Sequence, residues 1–321
     1  MKAKILITFT THKGQKKLLQ DLFKDKAKLV FIEDSSKELG ELIAEATVLF
    51  SWNPEDEGLY DEALDFKNVQ FMQLLSAGYD HVRTDAFPDH LKIAANQGAY
   101  ASPMAEHTVA LITALSKRLF IYHKNLAQGK FNQNESMTKK LKGSVLGVIG
   151  FGAIGQATAD LMRPFGVKIW GLNTTGKTDE KTDFIGTFAD LDHVLQNADI
   201  LLISCPLNAE TEDLINGEKL ALMKDDAILV NVARGPIIVQ QDLYEHLKNK
   251  PDFYAGLDVW WKEPFKDDTF ELEYPFFDLP NLLGSPHNSG KVPDGIEIGT
   301  KHASKNIQRF LDDKKTEGQI H

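Results

Sequence analysis

Three side chains in the last third of the chain have the types that carbonyl chemistry needs. Arg234 follows the apolar run Ala227–Val232, and His287 follows Leu282–Ser285. Glu263 lies between them, just before Pro264. An arginine can grip a carboxylate in bidentate fashion, and a histidine is the natural acid/base near neutral pH. A carboxylate beside that histidine stabilises its imidazolium, and Glu263 is the candidate. A carbonyl that accepts hydride needs these parts: a group to hold and polarise it, a proton donor, and a partner for the donor. Taken singly, each has an ordinary structural alternative. Arg234 could be a surface charge, Glu263 the start of a helix, and His287 a turn histidine with its bonds satisfied.

The hydride donor is implied upstream. Gly150-x-Gly152-x-x-Gly155 sits between a buried run, Val145–Ile149, and a helical stretch, Gln156–Met162. That is the strand–turn–helix setting of a dinucleotide-binding fingerprint. The first glycine makes the turn, the second admits a pyrophosphate, and the third lets helix and strand pack closely. The helix start then offers free N–H groups to the phosphates. After the next strand, Val167–Leu172, an NAD site usually carries an Asp or Glu for the ribose 2′-hydroxyl. Here the loop is Asn173-Thr174-Thr175-Gly176-Lys177. Without a carboxylate to repel a 2′-phosphate, and with Thr174, Thr175 and Lys177 able to bond one, the loop leans from NAD towards NADP.

Strand and helix signals alternate along the chain, which implies parallel sheets with helices on their faces. In the first part, strands are expected at 4–9, 28–32, 47–51, 69–75 and 91–95. Helices are expected at 14–26 and at 36–46, the latter capped by Ser35 or Ser36, and from Pro54 onward. One long helix is expected from Ser102 to about Gln128, then a polar loop to Lys142. Further strands run over 198–204, 227–232, 253–257 and 282–285, followed by a helix at 293–313 and a polar tail, 314–321. Ligands of such sheets bind beyond the carboxyl ends of the strands. Those ends carry Gly150, Asn173, Cys205, Arg234, Asp258 and His287. In the first part they carry Trp52 and Ala77-Gly78, which are candidates to face a substrate.

Composition sets the limits. The 321 residues suffice for two domains, and 42% apolar with 26% charged residues is ordinary for a globular protein. A formal net charge of −10 argues against general affinity for nucleic acid or anionic membrane. The single cysteine, Cys205, excludes an intrachain disulfide and a cysteine metal cluster. The histidines show no metal-ligand spacing, so no metal is expected. The first apolar run is too short for a signal peptide, no stretch could span a bilayer, and a cytoplasmic location is the expectation.

The motifs together resemble the D-isomer-specific 2-hydroxyacid dehydrogenases along nearly the full length. They are Ser76-Ala77-Gly78-Tyr79-Asp80-His81-Val82, Ala105-Glu106-His107-Thr108, Gly150–Gly155, Asn231-Val232-Ala233-Arg234-Gly235, Leu257–Pro264 and Ser285-Pro286-His287. The resemblance implies two doubly wound α/β domains, a Rossmann cofactor domain (99–287) inserted in a flavodoxin-like substrate domain (1–98 plus 288–321). It implies that Arg234 holds and polarises a 2-oxo acid, and that His287, paired with Glu263, is the acid/base. The implied cofactor-binding set is Gly150, Gly152, Ala153, Ile154, Gly155, Asn173, Thr174, Thr175, Cys205, Pro206, Val232, Ala233, Arg234, Asp258, His287 and Gly290, with Asp258 on the nicotinamide amide. Trp52, Ala77, Gly78, Arg234 and His287 are the implied substrate contacts.

The family is commonly dimeric through the cofactor domain, so a homodimer using the helix after Ser102 is expected. Phosphoglycerate dehydrogenases carry arginines near the end of the third strand, whereas Phe50-Ser51-Trp52-Asn53 has no basic residue. Formate dehydrogenases have Gln where Glu263 stands. These departures point to a small unphosphorylated 2-oxo acid, with Trp52 and Tyr100 as candidates to shape the side-chain pocket. The alternative is a nucleotide-responsive interaction protein of the corepressor type, which uses the same scaffold and a similar triad.

Overall fold

The computed structural model describes residues 2–264 and 269–321 and resolves two compact units. One comprises Met1–Tyr100 with Val292–His321, the other Ala101–Lys291.

The first unit is a five-stranded parallel sheet of β1 (Ala3–Ile7), β2 (Ala27–Phe31), β3 (Val48–Ser51), β4 (Phe71–Leu74) and β5 (Lys92–Ala94). Its order, β2-β1-β3-β4-β5, is the flavodoxin-like one. The central strands β3 and β4 are buried throughout, which is why they read as unbroken apolar runs. Helix α1 (Gln15–Phe23) sets Leu19 and Phe23 into the core. The C-terminal helix Gly295–Leu311 adds Ala303 and Ile307 to that same core.

Two local expectations are corrected in this unit, and one pairing was not expected. Helix α2 (Leu39–Ala44) starts after Glu38, and Ser35 does not cap it but accepts the Lys37 amide in a tight turn. Pro54 opens a turn, not a helix, closed by the Leu59 amide on the Pro54 carbonyl at 2.8 Å. The polar tail pairs with the sheet. The Ala95 amide donates to the Gly318 carbonyl and the Ile320 amide to the Ile93 carbonyl, so the tail runs antiparallel along β5. Few of its side chains are apolar, so periodicity did not reveal a strand-like partner.

The second unit contains β6 (Val145–Ile149), β7 (Lys168–Leu172), β8 (Phe184–Gly186), β9 (Ile200–Ile203), β10 (Ile228–Asn231), β11 (Tyr254–Leu257) and β12 (Leu282–Gly284). They form one parallel sheet in the order β12-β11-β10-β9-β6-β7-β8. That is the dinucleotide-binding arrangement with one strand added, and the order reverses between β6 and β9. The three-residue β8 is too short for a periodic signal, and sequence reading missed it.

The helix expected from Ser102 to Gln128 is two helices, α3 (Ala101–Ser116) and α4 (Leu119–Ala127). Arg118 between them adopts a left-handed φ of 50°. Its guanidinium pairs with Asp252 at 3.1 Å and lies 5.0 Å from the centre of the Tyr254 ring, which ties down the break. Among the described residues no helix is long and apolar enough to cross a membrane.

Candidate active site

Because every strand of the second unit is parallel, the residues just beyond each strand gather at one edge of the sheet. Asn231, at the end of β10, builds the turn that presents Arg234. Its Oδ1 accepts the Ala233 amide at 3.0 Å and its Nδ2 donates to the Arg234 carbonyl at 2.8 Å. The Arg234 guanidinium donates to the Ala233 carbonyl at 2.7 Å, while Val232 and Ala233 are buried. Gly235 then meets the chain beyond β11. A Cβ there would lie 2.3 Å from the carbonyl carbon of Trp260, so only glycine lets the two segments touch.

That contact sets Arg234 beside the segment carrying Glu263. The Trp260 amide donates to Glu263 Oε1 at 2.9 Å, and Glu263 is nearly buried. His287 Nδ1 lies 2.9 Å from Glu263 Oε2 and 3.1 Å from Oε1. A carboxylate only accepts hydrogen bonds, so Nδ1 carries the proton and Nε2 points elsewhere. The three residues named from sequence thus lie on adjoining segments, with Glu263 bonded to His287. A cavity of about 580 Å³ is lined by Glu263 and His287 together with, among others, Trp260, Phe270, Phe277, Pro286 and Lys291.

His287 itself has a left-handed φ of 49°, a strained conformation for a non-glycine residue. Asp258, wholly buried at the end of β11, clamps the turn. Its Oδ1 accepts the Asn288 amide at 3.1 Å and its Oδ2 the Ser289 amide at 3.0 Å. Ser285 Oγ also donates to Oδ1, at 2.6 Å, and His107 Nε2 lies 2.9 Å from that hydroxyl. Asn231, Ser285 and His107 carry much of this geometry, yet sequence reading gave them no role. They stand inside the quoted motifs, which was the available signal.

The glycine turn behaves as its spacing suggests. Gly150 has φ +88°, and a Cβ on it would lie 2.5 Å from the Cys205 amide nitrogen. A Cβ on Gly155 would lie 2.7 Å from Val148 Cγ1, so this glycine brings helix α5 (Ala153–Met162) against β6. A Cβ on Gly152 would meet nothing within 4 Å, leaving the space before α5 open. No side chain caps α5 and no acidic residue stands in its first turn. Ala153 is exposed and Ile154 half-buried. This open start fits the phosphates of a dinucleotide. Cys205 is buried behind Gly150, its thiol pushed up to about 12 by burial, while Pro206 is exposed and Gly290 half-buried.

Asn173 is engaged in its own loop. Its Oδ1 accepts the amides of Thr175 (3.1 Å) and Gly176 (2.8 Å), and its Nδ2 donates to the Lys177 carbonyl at 2.8 Å. Thr174 and Thr175 are exposed. A pocket of about 510 Å³ adjoins, lined by Gly176, Lys177, Thr178, Asp179 and Ile185.

In the first unit, Trp52 follows β3, and Ala77 and Gly78 follow β4, at the same edge of that sheet. Glu57 Oε1 accepts the amides of Trp52 (2.7 Å) and Asn53 (2.8 Å), and Oε2 accepts the Thr8 hydroxyl. Burial raises the Glu57 carboxyl, and these hydrogen bonds offset that only in part. The Trp52 ring packs edge-on against Phe9, 5.9 Å between centroids. Tyr100 donates to the Leu75 carbonyl at 3.3 Å.

A glycine turn at the switch point of a doubly wound sheet defines a dinucleotide-binding protein, and the polar strand ends beside it suit an oxidoreductase. Residues 109–289 match the family described as D-isomer specific 2-hydroxyacid dehydrogenase, NAD binding domain. A hydroxypyruvate reductase of Thermotoga maritima is 32% identical over 241 residues, covering 73% of this chain and 77% of that one. A glyoxylate reductase of Pyrococcus furiosus is 26% identical over 320 residues, covering 97% and 93%. A D-isomer specific 2-hydroxyacid dehydrogenase family protein of Aeromonas salmonicida shares the fold, with a TM-score of 0.80, 24% identity and coverage of 100% and 99%. The chain belongs to the D-isomer-specific 2-hydroxyacid dehydrogenase family and is an oxidoreductase of that class.

Proposed function

We propose that the protein reduces a small, unphosphorylated 2-oxo acid at C2 to a D-2-hydroxy acid, using NADPH in preference to NADH. The observation that carries the reading is the Glu263 carboxylate held 2.9 Å from His287 Nδ1, with Arg234 on the adjoining segment. The reduced nicotinamide, when bound, supplies the hydride. Arg234 takes the substrate carboxylate and draws electron density from the 2-oxo group. Glu263 fixes the proton on Nδ1 and stabilises the imidazolium, so Nε2 delivers a proton to the forming alkoxide. In the reverse direction, neutral His287 takes that proton back.

The pyrophosphate would lie on Gly150, Gly152 and the start of α5, and the adenosine ribose on the Asn173 loop. The preference for NADP rests on that loop. Asn173 offers no carboxylate, and Thr174 and Lys177 stand ready to bond a 2′-phosphate. The first unit serves as substrate domain, through Trp52, Ala77 and Gly78, and the second as cofactor domain. An unphosphorylated substrate is supported by Glu57, whose carboxylate already occupies the amides of Trp52 and Asn53, where a phosphate would be repelled. The names of the Thermotoga and Pyrococcus relatives, hydroxypyruvate and glyoxylate reductase, favour acids of that size. The protein acts as a homodimer through the second unit, where Leu119, Leu126, Phe131 and Met137 expose 59%, 54%, 77% and 71% of their surface.

Initial rates with NADPH and NADH against glyoxylate, hydroxypyruvate, pyruvate and phenylpyruvate test the reading. Turnover of one of the small acids supports it. Tight coenzyme binding with no turnover of any of them overturns it in favour of an interaction protein.

A further inference from the structure

We infer that His107 is a positioning residue for His287, acting through Ser285 and Asp258. The inference rests on His287 being the acid/base. Ser285 Oγ is 2.6 Å from Asp258 Oδ1, and a carboxylate can only accept, so the hydroxyl proton points at Asp258. The same hydroxyl oxygen must therefore accept from its other neighbour, His107 Nε2–H at 2.9 Å. His107 Nε2 also lies 3.6 Å from Asp258 Oδ1. The chain of contacts runs from α3, through the residue that follows β12, to the carboxylate that follows β11. It finishes at the amides of Asn288 and Ser289, at 3.1 and 3.0 Å.

Those amides immediately follow His287, whose left-handed φ of 49° must be held against a local steric cost. Asp258 holds it, and the aim of the Asp258 carboxylate depends on what bonds its oxygens. Ser285 occupies one side of Oδ1, and His107 fixes the rotamer of Ser285. His107 is only partly buried, with 24% of its side chain exposed. Its removal leaves α3 anchored by Ala105, Thr108, Leu111 and Ile112. What it removes is the donor that keeps the serine turned towards the carboxylate. The imidazole of His287 then loses its fixed placement between Glu263 and the substrate, and small misplacements of an acid/base are expensive in rate.

The test uses His107→Leu, His107→Gln, Ser285→Ala and the double variant His107→Leu/Ser285→Ala in the full chain. Gln carries an N–H near the position of Nε2, and Leu carries none. Expected is a fall in kcat of about tenfold for His107→Leu and Ser285→Ala, with KM for the 2-oxo acid little changed. Gln should recover most of the rate, and the double variant should be no slower than Ser285→Ala alone, because both act on one chain of contacts. Hydrogen exchange of the coenzyme-free protein gives an independent readout. The Asn288 and Ser289 amides should exchange faster in the Leu and Ala variants and not in the Gln variant. Wild-type kcat and exchange in His107→Leu would overturn the inference, as would Gln behaving like Leu. If His107→Leu does not fold, His107→Ala against His107→Gln decides by the same readouts. Full activity of His287→Gln would sink the acid/base reading, whereas the exchange measurement judges the relay by itself.

Discussion

Gly235 and Trp260 touch backbone to backbone: a Cβ on Gly235 would lie 2.3 Å from both the carbonyl carbon and the carbonyl oxygen of Trp260. Neither atom belongs to a flexible side chain, so any larger residue must push the two segments apart. One segment carries Arg234 and the other Glu263. Gly235→Ala is therefore expected to lower kcat/KM about a hundredfold, since reacting groups tolerate little displacement. Far-ultraviolet circular dichroism should stay native. Unchanged kcat/KM in this variant would show that the separation of the two segments does not set the site.

His287 and Glu263 should separate in kinetics. His287→Gln removes the proton donor and is expected to cost about a thousandfold in kcat. Glu263→Gln keeps an acceptor for Nδ1–H and loses the charge, so its cost should be smaller, about tenfold to a hundredfold. Equal losses in the two variants would mean that charge at Glu263 matters as much as the imidazole itself.

Glu57 makes the first unit sensitive to pH. Burial raises its carboxyl in the folded state above the unfolded value, so the fold holds that proton to higher pH. The associated stabilisation is fully present below the ordinary carboxylate range and is lost as pH rises through the raised value. Glu57→Gln keeps an oxygen for the amides of Trp52 and Asn53 and carries no charge. Its unfolding temperature relative to wild type should rise between pH 4 and pH 8. A constant difference across that range would refute the burial account.

Cys205 should be inert in the native protein. Its thiol is pushed up to about 12 by burial, and the thiolate is the reactive form. Labelling by a maleimide at pH 7 should proceed only after denaturant is added. Rapid native labelling would mean that the residues around Gly150 open readily.

Coenzyme choice should follow Lys177 more than Asn173. Lys177→Ala is expected to reduce kcat/KM for NADPH about tenfold and leave NADH little affected, the loss of one charge-assisted contact. Asn173→Asp keeps the acceptor for the Thr175 and Gly176 amides and adds a charge that repels a 2′-phosphate, so it should shift the ratio towards NADH. Equal effects of Lys177→Ala on both coenzymes would remove the 2′-phosphate from the argument.

Much of this was legible because parallel sheets write themselves plainly. Buried strands such as Ile200–Ile203 and Ile228–Asn231 are unbroken apolar runs, and each leads directly into a loop at the working edge. The alternation implied parallel sheets, which both units have, whereas the flavodoxin-like and Rossmann arrangements followed from the family resemblance. The break at Arg118 was not legible, because its cause lies far away in sequence, in Asp252 and Tyr254. Nor was the pairing of the tail with β5, which is made by backbone groups that no side-chain pattern reports. At the site, residue types marked the arginine, the glutamate and the histidine. The supports did not stand out, because Ser285, Asn231 and His107 matter through the bonds they make and not through chemistry of their own.

The C-terminal helix and its tail have a further consequence, for the order in which the chain acquires structure on the ribosome. Ala303 and Ile307 share a core with Ile5 and Phe71, and Gly318–His321 lie along the edge strand Lys92–Ala94. The residues up to Tyr100 therefore emerge with an open core and a bare sheet edge, and both stay so until Val292–His321 are made. The intervening unit, Ala101–Lys291, is continuous in sequence and needs no later segment to close its sheet. The first unit is completed only after the second has been made, so a nascent chain stalled before Val292 would expose the Lys92–Ala94 edge to any passing strand.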